Sequence, residues 1–345
     1  MRGSTRTRPA CRPAAAAVAA VLLASLFAGA SAQTVYRVSS CSELAAKFGD
    51  IAQQMSALTK GKVSITIELG CGQPGAYSDC PSKAMMPAWY VQGKALQLQL
   101  AIKGAAGCAG AARPVLSGAV AVEDAVEPLF MALEKNYHLT LQDLVLDGKE
   151  ARPGIFADPA GSLTLVNVDV INCRFNYEEA PGLWARGTPV SVEGGEFRNN
   201  VAGGNGGAVY FSQIPGYSGG LSFKGTKFVD NKADAGGAIF VVKTNPKGAK
   251  VTCSGCVFDG NDAAYGSVVM TSRSDDKQSG EELKPGAAIK LTLSGSVVSG
   301  NANPTTAVCG EGTENLKHSK LVTSGTPLAP SSDPMCNDYA LAQSG

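Results

Sequence analysis

The residues of this 345-residue chain that could do chemistry fall into four groups. The first is a scatter of acids: Asp143, Asp147, Asp169, Glu193, Glu196, Asp230 and Asp259. Glycoside hydrolysis needs two carboxylates at a fixed separation. Elimination from a uronate needs carboxylates around Ca²⁺ and a basic residue to take a proton. These acids are spread along the chain rather than grouped, and the adjacent pair Asp275-Asp276 lies in a Ser/Asp/Lys/Gly-rich insertion, 271–287, that reads as a loop. The second group is the two histidines, His138 and His318. His138 stands before a strand and reads as a solvated edge residue rather than a general base. The third is Cys253-x-x-Cys256, a lone CxxC with no second pair at ligand spacing and both histidines remote. It reads as structural thiols or a disulfide, so no metal and no cofactor are expected.

The fourth group points to binding. Trp184 lies with Arg186 on one insertion, 174–188, and Tyr217 on another, 212–220; Trp89-Tyr90 lies on a loop nearer the N-terminus. Aromatic rings beside an Arg can stack on sugars or anchor a protein partner. The alternative is that Trp184 simply packs its insertion onto the body. The inventory as a whole favours a non-catalytic protein.

Composition removes other classes. With 30 Lys+Arg against 29 Asp+Glu, the chain lacks the charge of a protein that neutralises nucleic-acid phosphates, so no nucleic-acid partner is expected. Hydrophobic residues make up 44%, enough for a large core and against wholesale disorder. The 41 glycines show no G-X-Y period, which excludes collagen.

Residues 1–32 read as a secretory signal peptide. Arg2, Arg6, Arg8 and Arg12 precede an apolar run from Ala14 to Ala28, and Ala30-Ser31-Ala32 is a small-x-small cleavage site. The alternative is retention as a signal anchor. Cleavage removes four Arg and no acid, leaving 313 residues and shifting the formal charge from +1 to −3. No other stretch is long and apolar enough to span a membrane, so a secreted protein of the extracellular space or cell wall is expected. Nine cysteines remain, several of which should pair in that compartment, with an odd one left over. No Asn-x-Ser/Thr sequon is present.

The elements that must position these residues are short. Val35–Val38 reads as extended. Leu44, Phe48, Ile51, Met55 and Leu58 recur at helical spacing over 42–58, with Ser40 or Ser42 as N-cap and Gly61 as the residue after the C-cap. Alternation over Lys62–Leu69 and Leu96–Ile102 predicts two strands. From 139 the chain repeats. Leu139-Thr-Leu141 is followed by Leu163-Thr-Leu165, Val190-Ser-Val192, Leu221-Ser-Phe223, Val251-Thr-Cys253 and Leu291-Thr-Leu293, at steps of 24, 27, 31, 30 and 40 residues. After the later triplets come Phe197…Asn200, Phe228…Asn231, Phe258…Asn261 and Val298…Asn301. Then come Gly206-Gly207-Ala-Val, Gly236-Gly237-Ala-Ile and the degenerate Gly266-Ser-Val-Val, each 30 residues on.

One such unit cannot bury its own apolar face, so units must stack. The fold expected is an all-β, right-handed parallel β-helix with an N-terminal capping α-helix. A propeller or hairpin sandwich fits less well, because the unit is short for a blade. The phenylalanines should form an internal ladder. The asparagines should sit at a bend in the left-handed region and bond to the asparagine of the next coil, and the Gly pairs should supply positive φ. The organisation expected is signal peptide 1–32, strand and capping helix 33–62, β-helix 63–316 with its clearest repeats over 139–301, and a tail 317–345.

The Phe-x-x-Asn and Gly-Gly-Ala-Ile/Val elements resemble the polymorphic membrane protein repeat. Phe197–Val209 and Phe228–Ile239 match both halves; Phe258–Asn261 keeps the first, with Ser267-Val268 replacing Gly-Ala. The wider chain is similar to the pectin-lyase-like β-helix superfamily. The resemblance implies a surface adhesin, but about 44 residues after Asn301 are too few for that family's C-terminal barrel. Among enzymes of the superfamily, the Gly-His-Gly and Arg-Ile-Lys signatures of polygalacturonases are missing. Gln142-Asp143-Leu144 only partly echoes the pectin-esterase element. The function expected is therefore a secreted, non-enzymatic β-helix that binds extracellular polysaccharide or a surface protein. A polysaccharide lyase or hydrolase is the alternative.

Overall fold

The computed structural model describes residues 33–71, 75–78, 80, 94–108, 113–118, 127–175, 180–214, 216–217, 219–243, 249–273, 289–301, 308–310, 317–319 and 322–323. The segment 1–32, Trp89-Tyr90, Asp275-Asp276 and most of the expected tail lie outside them. Within them the chain is an all-β parallel β-helix with a single helix. Every strand pairing is parallel.

Apart from the separate short pairing of Arg174–Phe175 with Val201–Ala202, the pairings sort into three faces around one core. The first sheet stacks Thr34–Val38, Lys60–Leu69, Ala95–Gly104, 137–142, 162–166, Val190–Glu193, Leu221–Lys224, Lys250–Ser254, Lys290–Ser294 and Lys317–Ser319. The second stacks Val115–Ser117, 145–147, 168–171, Glu196–Arg198, Lys227–Val229, Val257–Asp259, Val297–Ser299 and Val322–Thr323. The third stacks 130–133, 155–158, Leu183–Arg186, Val209–Gln213, Ile239–Lys243, Val269–Arg273 and Val308–Gly310. The repeated Leu-Thr-Leu triplets are rungs of the first sheet. Their outer residues point inward and the middle Ser or Thr outward, as the two-residue period of a strand requires.

The helix, α1 (Cys41–Ala57), closes one end of the stack. Ser40 is its N-cap, its hydroxyl accepting from Glu43 N at 3.3 Å, while the Glu43 carboxylate accepts from Ser39 N at 2.6 Å. This reciprocal satisfaction of orphan amides is a variant of the capping box. Leu44, Phe48, Ile51 and Met55 are buried and join the same core as Val38, Ile65 and Ile67. Gly61 is not the helix stop that its position suggested. The helix ends at Leu58, whose extended backbone already leads into the strand that contains Gly61. Disulfides Cys41–Cys80 and Cys71–Cys108 tie the chain at this end.

Two corners of the coil are columns of left-handed residues. Between the first and second sheets stand Asp143, Asn167, Gly194, Gly225, Gly255 and Gly295, with φ from 51° to 67°. After the second sheet stand Asn172, Asn199, Asp230, Gly260 and Gly300, with φ from 51° to 66°. Only Gly, Asn and Asp occupy these positions because other side chains crowd the backbone there. Asn200, Asn231 and Asn261 are one place further on and are not left-handed, contrary to expectation: the bend belongs to the residue before each. They are fully buried instead, and their side chains do the bonding. The Phe ladder is present, with Phe197–Phe228 centroids 5.5 Å apart at 9° and Phe228–Phe258 4.9 Å apart at 6°.

The two glycines of each pair serve different needs. Gly206, Gly236 and Gly266 have φ of 73°, 67° and 59°. Gly207 and Gly237 do not; a Cβ on Gly207 would collide with Gly237 O, and one on Gly237 would lie 2.6 Å from Ser267 O. The first is needed for conformation, the second for close approach.

Candidate functional site

Of the residues nominated from the sequence, Trp184 and Arg186 lie not on a loop but on a strand, and Tyr217 lies on a loop beside them. Leu183–Arg186 is a rung of the third sheet, in register with 155–157 and 209–212. The Trp184 ring is sandwiched between Phe156 (4.2 Å, 4°) and Tyr210 (5.9 Å, 6°), and Tyr210 stacks in turn on Phe240. Arg186 forms a two-pronged ion pair with Asp158, its Nε and Nη2 at 2.8 and 2.6 Å from the carboxylate oxygens. Its guanidinium carbon lies 5.6 Å from the Trp184 ring centre. Tyr217 lies against the next residue, Gly187, where an added Cβ would be 3.2 Å from Tyr217 Cγ. Both faces of Trp184 are therefore covered and Arg186 has its carboxylate. The cluster is an external aromatic ladder that braces the coil, and it presents no ring face for a sugar. The described ends of the insertions also divide: 187–189 and 219–220 lead from the third sheet to the first, whereas 172–175 and 180–182 lie between the second sheet and the third.

Five of the candidate acids serve one by one as fasteners between coils. Asp143 accepts from Asn167 Nδ2 at 2.8 Å, Asp147 from Asn172 Nδ2 at 3.1 Å and Asp259 from Ser299 Oγ at 2.8 Å. Asp169 pairs with Arg113 and Glu193 with Lys224, whereas Glu196 pairs with Arg198 on its own rung. Among the described residues no group of three or more His, Cys, Asp or Glu is placed to hold a metal.

A concavity that could take a ligand lies elsewhere among the described residues, on the outer face of the first sheet. A groove of about 530 Å³ runs across successive rungs. Its floor is Ser64 and Thr66, then Gln99, then His138 and Thr140, then Ser162, with Gln33 and Lys62 at the rim. These are alternate residues of the strands, turned outward while Ile65, Leu98, Leu100 and Leu139 turn into the core. The polar groups bond across neighbouring rungs in three separate sets. Gln33 Nε2 donates to Thr66 Oγ1 at 2.7 Å, and Ser64 Oγ to Gln99 Oε1 at 3.2 Å. His138 Nδ1 lies 2.9 Å from Ser162 Oγ, and its Nε2 lies 2.7 Å from the Gln97 amide.

His138 is thus not the solvated residue before a strand that its sequence position suggested. It lies within Phe130–Asp147, half-buried, and Gly161 on the adjacent rung leaves it space: a Cβ there would be 2.7 Å from His138 Cε1. Burial, with a smaller push from the Lys62 ammonium, holds its pKa below the usual histidine value, so the neutral ring is favoured. Sequence reasoning missed this site because no single residue in it is unusual. The available signal was the outward set of the two alternating strands, Lys62, Ser64, Thr66, Gln97 and Gln99, which is rich in groups that both donate and accept hydrogen bonds.

Comparison with known protein families, with characterised proteins and with solved structures finds no match to this chain.

Proposed function

We propose that this is a secreted, non-enzymatic β-helix protein that binds a carbohydrate chain in the groove of its first sheet, at a cell surface or in an extracellular matrix. The observation that carries this reading is the lining: amide, hydroxyl, imidazole and one ammonium, with no carboxylate. Glutamine, serine and threonine each offer a donor and an acceptor, which matches the paired donor and acceptor character of sugar hydroxyls. The volume lies within the range of small-ligand sites and suits a few sugar units. Two disulfides, a third bonded cysteine at Cys309, and the signal-like segment 1–32 agree with an oxidising compartment. No helix among the described residues is long and apolar enough to cross a membrane. The tandem Phe-x-x-Asn elements support a surface role by their resemblance to the repeats of surface adhesins.

The test is a glycan array probed with purified protein, followed by calorimetry on any hit with wild type and the Gln99→Ala variant. Binding that falls at least about tenfold in the variant is expected, in line with the loss of one or two buried hydrogen bonds. Absence of any glycan ligand, or binding indifferent to Gln99, would reject the reading.

One observation favours the enzymatic alternative: a neutral His138 beside Ser162 and Lys62 has the elements of a base and a cation. Both ring nitrogens are engaged, however, and the sheet's own ladder uses the backbone amides around Ser162. Release of reducing ends or of unsaturated products from polysaccharide, abolished by His138→Ala, would establish that alternative instead.

A further inference from the structure

Three cysteines among the described residues are outside disulfides: Cys173, Cys253 and Cys256. The last two form a unit. Cys253 lies in the Lys250–Ser254 rung with its side chain in the core, in register with Phe223 on one side and Leu293 on the other. Gly255, at φ 63°, then turns the chain, and Cys256 begins the second-sheet segment. The turn brings both sulfurs inward, where the residues are 1% and 0% exposed, and the two thiols hydrogen-bond to each other.

The neighbouring coils show what this corner normally holds. At the position of Cys256 they carry Thr226 and Ser296. Thr226 Oγ1 donates to Gly194 O at 3.1 Å, and Ser296 Oγ accepts from Cys256 N at 3.2 Å. A hydroxyl satisfies backbone groups there, and a thiol is a poor replacement as donor or acceptor. At the position of Cys253 the neighbours carry large apolar side chains, Phe223 and Leu293. Each cysteine alone is thus the weaker choice at its place. Together their thiols are close enough to hydrogen-bond to each other, in a chain that is already cross-linked elsewhere.

We propose that Cys253 and Cys256 are oxidised to a disulfide that closes this corner of the coil. The reaction is thiol–disulfide exchange. The Cys256 thiolate attacks one sulfur of a small-molecule or oxidoreductase disulfide and expels one thiol of that partner. Cys253, giving up its proton, then attacks Cys256 Sγ and expels the second thiol. Two protons and two electrons pass to the partner, which leaves as two thiols. The polarity of the pair agrees with this order of events, since the hydrogen bond from Cys253 lowers the Cys256 pKa, while burial raises that of Cys253. Because both sulfurs are sealed under the next coil, 289–301, the bond forms before that coil is laid down or during its local opening.

The decisive measurement uses the full chain, secreted and purified without reductant, then denatured in iodoacetamide and mapped by mass spectrometry. The peptide with Cys253 and Cys256 is expected without alkylation and lighter by two hydrogens, becoming doubly alkylated only after reduction. Cys173 is expected to be alkylated without reduction, as an internal control. Alkylation of both residues before reduction, or linkage of either to a different cysteine, overturns the proposal. In a Cys256→Ser variant, Cys253 should become alkylated before reduction while Cys41–Cys80 and Cys71–Cys108 persist; a Cys253 still blocked there overturns it too. If that variant fails to fold, the wild-type map decides alone.

Discussion

The Asn231 side-chain carbonyl accepts two hydrogen bonds from Asn200, from its backbone N at 3.2 Å and its Nδ2 at 2.9 Å. Asn231 makes the same pair of donations to Asn261, and Asn261 to Asn301, while each Nδ2 also reaches back to a carbonyl of the coil before, Val170 for Asn200 and a Phe for Asn231, Asn261 and Asn301. The ladder starts at Cys173, whose N donates to Asn200 Oδ1 at 3.0 Å. A carboxamide carries a donor and an acceptor on one short planar group, so Asn can propagate such a ladder at this reach.

Removing one rung strands its neighbours. Asn231→Ala leaves the Asn200 amide groups and Phe197 O unsatisfied in a buried site, and should lower stability by about 3 kcal/mol. Asn199→Gly, one residue before the first rung and already left-handed, should change it by less than about 0.5 kcal/mol. Urea unfolding followed by circular dichroism distinguishes the two.

The left-handed corners differ in how much room surrounds them. Gly225→Ala meets no atom within 4 Å, so the cost is that of the backbone conformation, about 1–2 kcal/mol. Gly236→Ala meets Ile239 O at 2.6 Å as well and should cost clearly more. Comparing the thermal midpoints of both variants with wild type checks this ordering.

Trp184 and the groove separate stability from binding. Trp184→Ala breaks the stack between Phe156 and Tyr210 and, at a half-buried position, should cost about 2 kcal/mol. It should leave carbohydrate affinity unchanged in calorimetry, whereas Gln99→Ala should do the reverse.

His138 should make stability depend on pH. Its folded pKa lies below the unfolded value of about 6.5, so the unfolded chain binds the proton more readily. Its site is therefore undisturbed above pH of about 6.5. Stability declines as pH falls below that value and levels off below the folded pKa. Replacing His138 with Gln should remove this component from a pH series of urea midpoints, and a proton NMR titration of the ring should place its midpoint below about 6.5.

Local pattern alone settled the scaffold. Alternation turns Leu96, Leu98, Leu100 and Ile102 inward, and recurrence at about 30 residues forces stacking because one coil cannot bury its own Phe. The helix over 42–58 followed from its apolar spacing in the same way. These are properties of near neighbours and of repeated ones, and a sequence displays both. What only the tertiary structure decided depends on which residue of one coil lies over which residue of another. Insertions of unequal length hide that register. Trp184 looked like a loop aromatic until Leu183–Arg186 paired with 155–157 and 209–212, which covered both of its faces. His138 lies 41 residues from Gln97 and 24 from Ser162, so their contact exists only once the rungs are stacked. The asparagines were legible as a ladder, but their backbone was not. The strain of the bend falls on the residue before each, and only the dihedral angles show where a turn places it.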